Sequence, residues 1–437
     1  MQLNSKPAAA PERAPKPESG RRLRWRIALL ICAAIAISYF DRQTLPVAIA
    51  AIQRDIPISN TQFSQLQAAF LTAYALMYAG GGKLIDILGT RTGFLLIMVW
   101  WSLACASHGL AAGFGMLAAS RFLLGAGEGG GFPAATKAVA EWFPVRERST
   151  AMGIINAGTA AGAVVAPPAI ALVIAALNWR WVFFLAGAAG LLWTLWWLLD
   201  YHTPASHPRL GKREREDIAE VLTSPGRQQA GIPWLRLFSY PQVWGLVTGK
   251  FLSDAGWYFY LFWLPKYLYD VRGFETKSVG YYAWIPYAAA GIGSLAGGWF
   301  SSWLIRRGHS VNLARKCALG ASAAVMPLII IVPWSPVNLA IAVFSIAFFG
   351  QQSWSTLVMI LPADIFPQRA VGSVAGLVGF GGAMGGVVFG LVVGWVLDHG
   401  FGYTPVFAAV STFHVLAFCI ILLTIRTVRP VHAGTGA

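Results

Sequence analysis

Six ionisable residues stand deep inside apolar stretches of this sequence: Asp41, Arg42, Arg121, Glu128, Lys250 and Asp254. At mid-membrane such a group costs ~2.5 to 3.5 kcal/mol on insertion scales, so each needs a partner or a watered cavity and marks a candidate functional residue. Lys137 and Lys266 are also intramembrane by sequence, but a rise of ~1.5 Å per residue carries them to an interface, where a long side chain can snorkel. Arg121 and Glu128 are seven residues apart, hence on one helix face about two turns, or ~10 Å, from each other. Counted along their helices, Asp41 and Arg42 lie ~22 to 24 Å from one end and Arg121 ~10 Å from the other, which is a common depth. Two arginines and two carboxylates form a closed set that attracts an anion only after a carboxylate takes up a proton. A carboxyl away from cations keeps its proton more readily than one beside arginine. Glu128 is therefore the first candidate for a transported proton and Asp41 the second. The plain alternative is a set of salt bridges that only hold two helices together.

The elements that must position these groups follow from composition. Of 437 residues, 56% are hydrophobic and 12% charged, about half the roughly 25% of an ordinary soluble domain. Apolar runs of the length a bilayer demands, ~20 residues, fall near 26–52, 61–87, 92–112, 114–142, 149–176 and 181–200, then 242–269, 278–305, 316–334, 337–363, 370–397 and 404–425. The expected fold is all-α, a polytopic membrane protein of twelve transmembrane helices in two six-helix halves. Residues 1–25 read as a disordered cytoplasmic tail, 26–200 as the first bundle, 201–240 as a cytoplasmic linker, partly helical around "KREREDIAEVL", 241–426 as the second bundle and 427–437 as a second cytoplasmic tail.

Most of the 33 Lys and Arg lie outside the apolar runs, so the net charge of +15 describes loops and tails. Nucleic acid is a poor partner for such a chain. The tails, the linker and alternate connections carry nearly all of the basic residues, whereas the opposite connections hold Arg54, Arg180, Arg272 and Lys277. Positive loops stay inside, which puts both termini in the cytoplasm. Cys32, Cys105, Cys317 and Cys419 lack metal-site or disulfide spacing and read as free thiols. No HExxH occurs and only His108 and His414 of the seven histidines can lie in spans, so an intramembrane enzyme finds no centre. A cation exporter would want an acid-dominated cavity, and a receptor would want a signalling domain; neither is present.

Two stretches repeat. "EWFPVRERSTAMG" from Glu141 aligns without gaps on "DIFPQRAVGSVAG" from Asp364, an offset of 223, and "AGGGKLIDILGTRTG" from Ala79 resembles "AGGWFSSWLIRRG" from Ala296, at an offset near 217. At 223 beyond Glu128 stands Gln351, in "GQQSWS". Gln351, Gln352 and Ser353 offer donors and acceptors to hydroxyl groups of a ligand, or to neighbouring helices. Lys250 and Asp254 form an i, i+4 pair, with Trp257 and Tyr258 continuing the face. Tyr39, Tyr74, Asn156 and Thr159 are further candidates. Glycines at spacings of four, Gly158 with Gly162, Gly293 with Gly297, and Gly382, Gly386, Gly390 and Gly394, permit close helix contact, either static or as smooth surfaces between halves.

Gly82, Asp86, Gly89 and Arg91 resemble the loop signature between spans two and three of the major facilitator superfamily, departing from it at Ile87 and Thr90. "SYFDRQTLPVAI", "SRFLLGAGEGGGFPA", "AEWFPVRERS" and "KFLSDAGWYFYLFWLPKYL" resemble the anion:cation symporter family within it, specifically its bacterial hexuronate transporter branch. This resemblance implies proton-coupled uptake of an organic anion, a hexuronate or a related aldonate or aldarate, by alternating access in the bacterial cytoplasmic membrane. It implies that Arg42 holds the substrate carboxylate, that Asp41 and Glu128 carry protons linked by Arg121, and that Trp257 and Tyr258 face the sugar. Asp86 and Arg91 belong, on the same resemblance, to gating rather than substrate contact. No cofactor or metal is expected; the coupling ion is the proton, the partners are the anion and membrane lipids, and the working unit is a monomer.

Overall fold

The computed structural model describes residues 23–143, 145–204, 206–211, 214–216, 234–366 and 368–429, which are helices and their connections, with no strand among them. In the first half the helices are α1 (Leu23–Asp55), α2 (Asn60–Leu88), α3 (Thr90–Ser107), α4 (Phe114–Glu128), α5 (Gly131–Trp142), α6 (Val145–Ala176) and α7 (Trp179–Asp200). In the second they are α8 (Pro241–Asp270), α9 (Thr276–Tyr282), α10 (Trp284–Arg306), α11 (Val311–Ala324), α12 (Val337–Ile365), α13 (Gln368–Asp398) and α14 (Thr404–Thr424). Together they make twelve spans, because three spans are composite. Eight of the described segments are by themselves long and apolar enough to cross a bilayer. The others are diluted by charge, glycine or a break.

The breaks have local causes. The fourth span divides at Gly129 and Gly130, where a Cβ would lie 2.5 Å from the Tyr74 carbonyl and 2.5 Å from Ile97 Cδ1 respectively. Close neighbours select glycine, and glycine weakens the helix by ~1 kcal/mol relative to alanine. The eighth span divides at Ala283, and the ninth tightens into a 3₁₀ run, Met326–Trp334, that contains Pro333, a residue without an N–H to continue the ladder. Gly89, at φ 75°, makes the sharp turn between α2 and α3, a conformation that glycine alone adopts freely. That is the physical reason for glycine in the loop signature.

Within the first half α1 packs on α6 and α7, α2 on α4, and α3 on α4 and α7; within the second, α8 packs on α13 and α14, and α10 on α12. The repeat seen in sequence is a repeat of ties. Glu141 accepts from Thr90 at the start of α3 (2.7 Å) and from Tyr201 (2.9 Å). Its counterpart Asp364 accepts from Arg315 near the start of α11 (2.8 Å), and Arg315 also donates to Ser301 (2.9 Å).

α1 begins at Leu23, so the tail expected over 1–25 ends at least three residues earlier, with Arg24 N donating to Glu214 (3.0 Å). Residues 1–22, most of the linker helix expected around "KREREDIAEVL", and residues 430–437 lie outside the described residues. The linker folds back on the bundle: Asp200 binds Arg26 and Arg209 (2.7 Å), and His207 meets the Asp200 carbonyl (3.1 Å). Burial pushes the His207 imidazole below its ordinary pKa.

Across the halves, α2 packs on α13, α6 on α9 and α10, and α1 on α8. Polar ties between halves gather at the end away from the termini. Asp398 accepts from the N–H groups of Asn60 (3.0 Å) and Thr61 (2.7 Å), Tyr269 donates to Val47 O (2.6 Å), and Tyr287 donates to Gln43 (3.0 Å). The glycine pairs serve mainly within halves: Gly158 and Gly162 meet Cys32 O and Ala36 O of α1, and Gly293 and Gly297 meet Phe349 and Ser353 of α12. In α13, Gly382 meets the Lys250–Asp254 pair, while Gly394 meets Ser64 across the interface.

Candidate functional site

Four elements converge on Arg42. α1 supplies Ser38, Tyr39, Asp41 and Arg42; α4 supplies Arg121 and Glu128; α2 lays Phe70 and Tyr74 against them; α8 approaches from the other half with Tyr258. The approach of α2 to α4 depends on Gly125 and Gly129, at which a Cβ would sit 2.1 Å from the Phe70 carbonyl and 2.5 Å from that of Tyr74. These contacts fix the two aromatic rings over the charges.

Arg42 Nε donates to Glu128 Oε2 at 2.8 Å, and Ser38 Oγ donates to the same oxygen at 2.6 Å. The Arg42 guanidinium lies over Tyr39 (4.5 Å), Tyr74 (4.6 Å) and Phe70 (5.5 Å). This is a cation held by π faces, with one edge tied to a carboxylate. Arg42 is 2% exposed and Glu128 2%. The expectation that Glu128 is the acid less shielded by arginine is therefore reversed. Glu128 takes the Arg42 bond, while both oxygens of Asp41 are buried without a hydrogen-bond partner and face the Cys105 thiol. The three nitrogens of Arg121 are likewise buried without a hydrogen-bond partner, its guanidinium 5.7 Å from Phe70.

The second half contributes its own polar centre. Lys250 Nζ donates to Asp254 (2.7 Å) and to Ser355 Oγ (2.9 Å); Gln351 Nε2 donates to Asp254 (3.4 Å), and Gln351 Oε1 contacts His414 Nε2. Tyr258 stacks on Phe262 (5.7 Å) and lies within electrostatic reach of Arg42, Tyr39 and Asp254, so it joins the two centres. Trp257 turns elsewhere, edge-on to Phe348 at 5.6 Å. Ser353 pairs with Ser322 (2.8 Å), so the hydroxyl beside Lys250 belongs to Ser355. Gln352 is half-buried and its carbonyl accepts from Thr356 (2.9 Å). Thr159 donates to its own helix at Asn156 O (2.8 Å), and Asn156 is exposed.

Lys266 is buried and ion-paired with Asp270 (2.7 Å) instead of snorkelling, and Lys137 donates to Ile85 O (3.0 Å). Arg91 donates to Leu198 O (2.9 Å), bridging α3 to α7; the Asp86 side chain lies outside the described residues. Phe70 had no distinguishing signal of charge or motif; Ser38 and Ser355 stood inside the quoted stretches without a role of their own, and Cys105 and His414 stood out only as a free thiol and an intramembrane histidine. A groove of about 330 Å³ between α1, α6 and α7 is lined by apolar residues and Asp41 alone among polar ones. It opens beside Val165 (55% exposed) and Leu185 (46%) toward lipid, and offers a sugar acid no partner for its hydroxyls.

Two six-helix halves with a charged, aromatic-lined centre at their junction define a membrane transporter. Residues 31–390 match the Major Facilitator Superfamily. The chain is 32% identical over 408 residues to the hexuronate transporter of Escherichia coli (strain K12), covering 91% of this chain and 93% of that one. It is 29% identical to the D-galactonate transporter of Escherichia coli O6:H1 over 96% and 99% of the two chains. A bacterial homologue of the human lysosomal transporter Spinster, solved in an inward-facing and occupied conformation, superposes with a TM-score of 0.72 at 19% identity, covering 93% of this chain and 97% of that one. The chain belongs to the Major Facilitator Superfamily; it is a transporter and not an enzyme.

Proposed function

We propose that this protein is a proton-coupled symporter that imports a monovalent sugar acid, a hexuronate such as galacturonate or glucuronate or a related aldonate, across the bacterial cytoplasmic membrane, with both termini inside. The observation that carries the reading is the Arg42–Glu128 pair inside its cage of Tyr39, Phe70 and Tyr74. A substrate carboxylate can take Arg42 in the planar, two-bond geometry that arginine favours only if Glu128 gives up its claim. Protonation of Glu128 does this: the neutral acid releases the guanidinium and keeps a neighbour in Ser38. Anion binding and proton uptake then become one event. The names of the relatives, a hexuronate and a D-galactonate transporter, agree with a hydroxylated acid, as do the amides of Gln351 and Gln352 and the hydroxyl of Ser355 on the opposite half.

Tyr258 and Lys250 approach from the second half, so closure around the substrate would use groups from both. Asp41, with Arg121 beside it, is the second proton carrier. Asp86 and Arg91 hold the gate at the cytoplasmic end. The test is uptake of labelled galacturonate into right-side-out vesicles with an imposed pH gradient, competed by a panel of uronates, aldonates, aldarates and unhydroxylated acids. Accumulation that collapses with the gradient and is competed by hydroxylated acids supports the reading. Accumulation indifferent to the gradient rejects it.

A further inference from the structure

Lys250, Asp254 and Tyr258 follow one another at i, i+4 and i+8 along α8, so they form a single stripe. The stripe is internal, because every residue of α8 from Ser253 to Leu268 is buried. Tyr258 lies within electrostatic reach of Arg42, and Asp254 within reach of both Tyr258 and Tyr39, the ring on which Arg42 rests. The pair thus belongs to the far wall of the site that Arg42 anchors. The side chains of Lys250 and Asp254 keep 8% and 9% exposure, against 2% and 0% for Arg42 and Glu128. Lipid does not reach this run of α8, so that surface opens to the space between the halves.

Neighbouring helices fix the pair. Lys250 Nζ donates to Asp254 Oδ1 (2.7 Å) and to Ser355 Oγ of α12 (2.9 Å). A carboxylate only accepts, so Gln351 of α12 turns its NH2 group to Asp254 (3.4 Å) and its oxygen to His414 of α14, whose Nε2 then donates. From α13, Gly382 leaves room for the acid: a Cβ there would lie 2.2 Å from Asp254 Oδ2. The cation and the anion cancel, and one of the three Nζ hydrogens is left for a further acceptor.

We propose that the Lys250–Asp254 pair reads the end of the substrate remote from Arg42 and admits a hydroxyl there but not a second carboxylate, so that Asp254 restricts this transporter to monoanions. The proposal rests on the reading of a sugar acid anchored at Arg42 and adds which residue sets the charge of the acid carried. A hydroxyl both accepts and donates, so it can take the Nζ hydrogen and give its own to Asp254. A carboxylate only accepts, and it would set its charge against that of Asp254. Like charges brought together in a site shielded from water are costly, and such repulsion is how a binding site excludes a near relative of its ligand. The first half offers no compensation: protonation of Glu128 releases one cation, Arg42, and the first carboxylate occupies it. Asp41 and Arg121 cancel each other behind it.

The experiment measures uptake of labelled galacturonate into proteoliposomes under an inward pH gradient, competed by unlabelled galacturonate, by galactarate with its two carboxylates, and by the monoamide of galactarate, which has the same length and one charge. In the wild type galactarate should compete at least about tenfold more weakly than galacturonate, and the monoamide within about threefold of it, because one charge-assisted contact separates the two cases. Asp254→Asn keeps the size and removes the charge, leaving Lys250 to receive a carboxylate; the handicap of galactarate should shrink by at least about tenfold. Adding Lys250→Gln should remove most of that gain. Should Asp254→Asn fail to fold, Asp254→Ser is read in the same way. Equal competition by galactarate and galacturonate in the wild type overturns the proposal, as does an unchanged handicap in a folded, neutral variant at position 254. A monoamide rejected as strongly as galactarate also overturns it, since length and not charge would then decide. Equal weakening of all three competitors by Asp254→Asn overturns it too, because that marks a structural pair. A wild type that accumulates no galacturonate under the gradient refutes the symport reading itself, which is a separate and recognisable result.

Discussion

Arg42 is held by contacts of two kinds, three π faces and one carboxylate, and on the proposed function only the carboxylate competes with substrate. Lysine keeps the charge but loses the planar fork and much of the stacking. Since a charge-assisted hydrogen bond contributes ~1.5 to 3 kcal/mol, Arg42→Lys should raise the KM for galacturonate ~10- to 150-fold; a KM near wild type, measured as initial uptake by a folded variant, would remove Arg42 as the anchor. The charged residues were legible because ionisable groups in apolar runs are conspicuous. Which acid meets which arginine was not. Counting along a helix resolves depth to about one turn, ~5.4 Å, and an arginine side chain spans that distance. Arg42 thus reaches Glu128 and leaves Asp41 beside Cys105. Ser353 and Ser355 were likewise indistinguishable in "QQSWS", yet residues two apart on a helix face different sides, and Ser355 is the one beside Lys250.

At the level of elements, α2 is tied twice at its N-terminus. Ser59 and Gln62 form a capping box within the helix, and Asp398 of the other half accepts from the next two free N–H groups. A carboxylate is well placed there because the helix dipole is positive at that end. The cap also joins the halves, so it must break when this end opens. Losing a cap costs ~1 kcal/mol, a shift of roughly fivefold in the balance between closed and open forms. Asp398→Ala should therefore enlarge the long-distance population between spin labels at Arg54 and Phe401, and an unchanged distance distribution would show that the cap is no latch. Hydropathy located each span to within a few residues, because burial in lipid is a property of the run itself. The division at Gly129 and Gly130 was not readable, since it depends on how closely Tyr74 and Ile97 approach. The 3₁₀ segment was better signposted, by a proline inside the ninth span.

For the whole molecule, the twofold plan was visible in the offset of 223 and takes physical form in the ties of Glu141 and Asp364. The role of the glycines was not visible, because a spacing of four says that something packs closely without saying what; Gly158 and Gly162 turn out to face α1 in their own half. Two carboxylates in the first half, Asp41 and Glu128, lead to a statement about energy coupling. A monoanion entering with two protons carries one positive charge inward, and the membrane potential then adds ~2.3 kcal/mol per 100 mV, roughly fiftyfold in attainable concentration ratio. Substrate alone, at symmetric pH, should evoke an inward current on a solid-supported membrane, and Asp41→Asn should abolish it while some transport persists; transport without current in the wild type would leave only one acid cycling a proton. The central claim, that anion binding at Arg42 and proton uptake at Glu128 are one event, is tested most directly by Glu128→Gln in proteoliposomes. The amide imitates the protonated acid permanently. The variant should exchange labelled for unlabelled galacturonate across the membrane yet fail to accumulate it under an inward pH gradient. Accumulation by Glu128→Gln at the wild-type ratio would contradict the account.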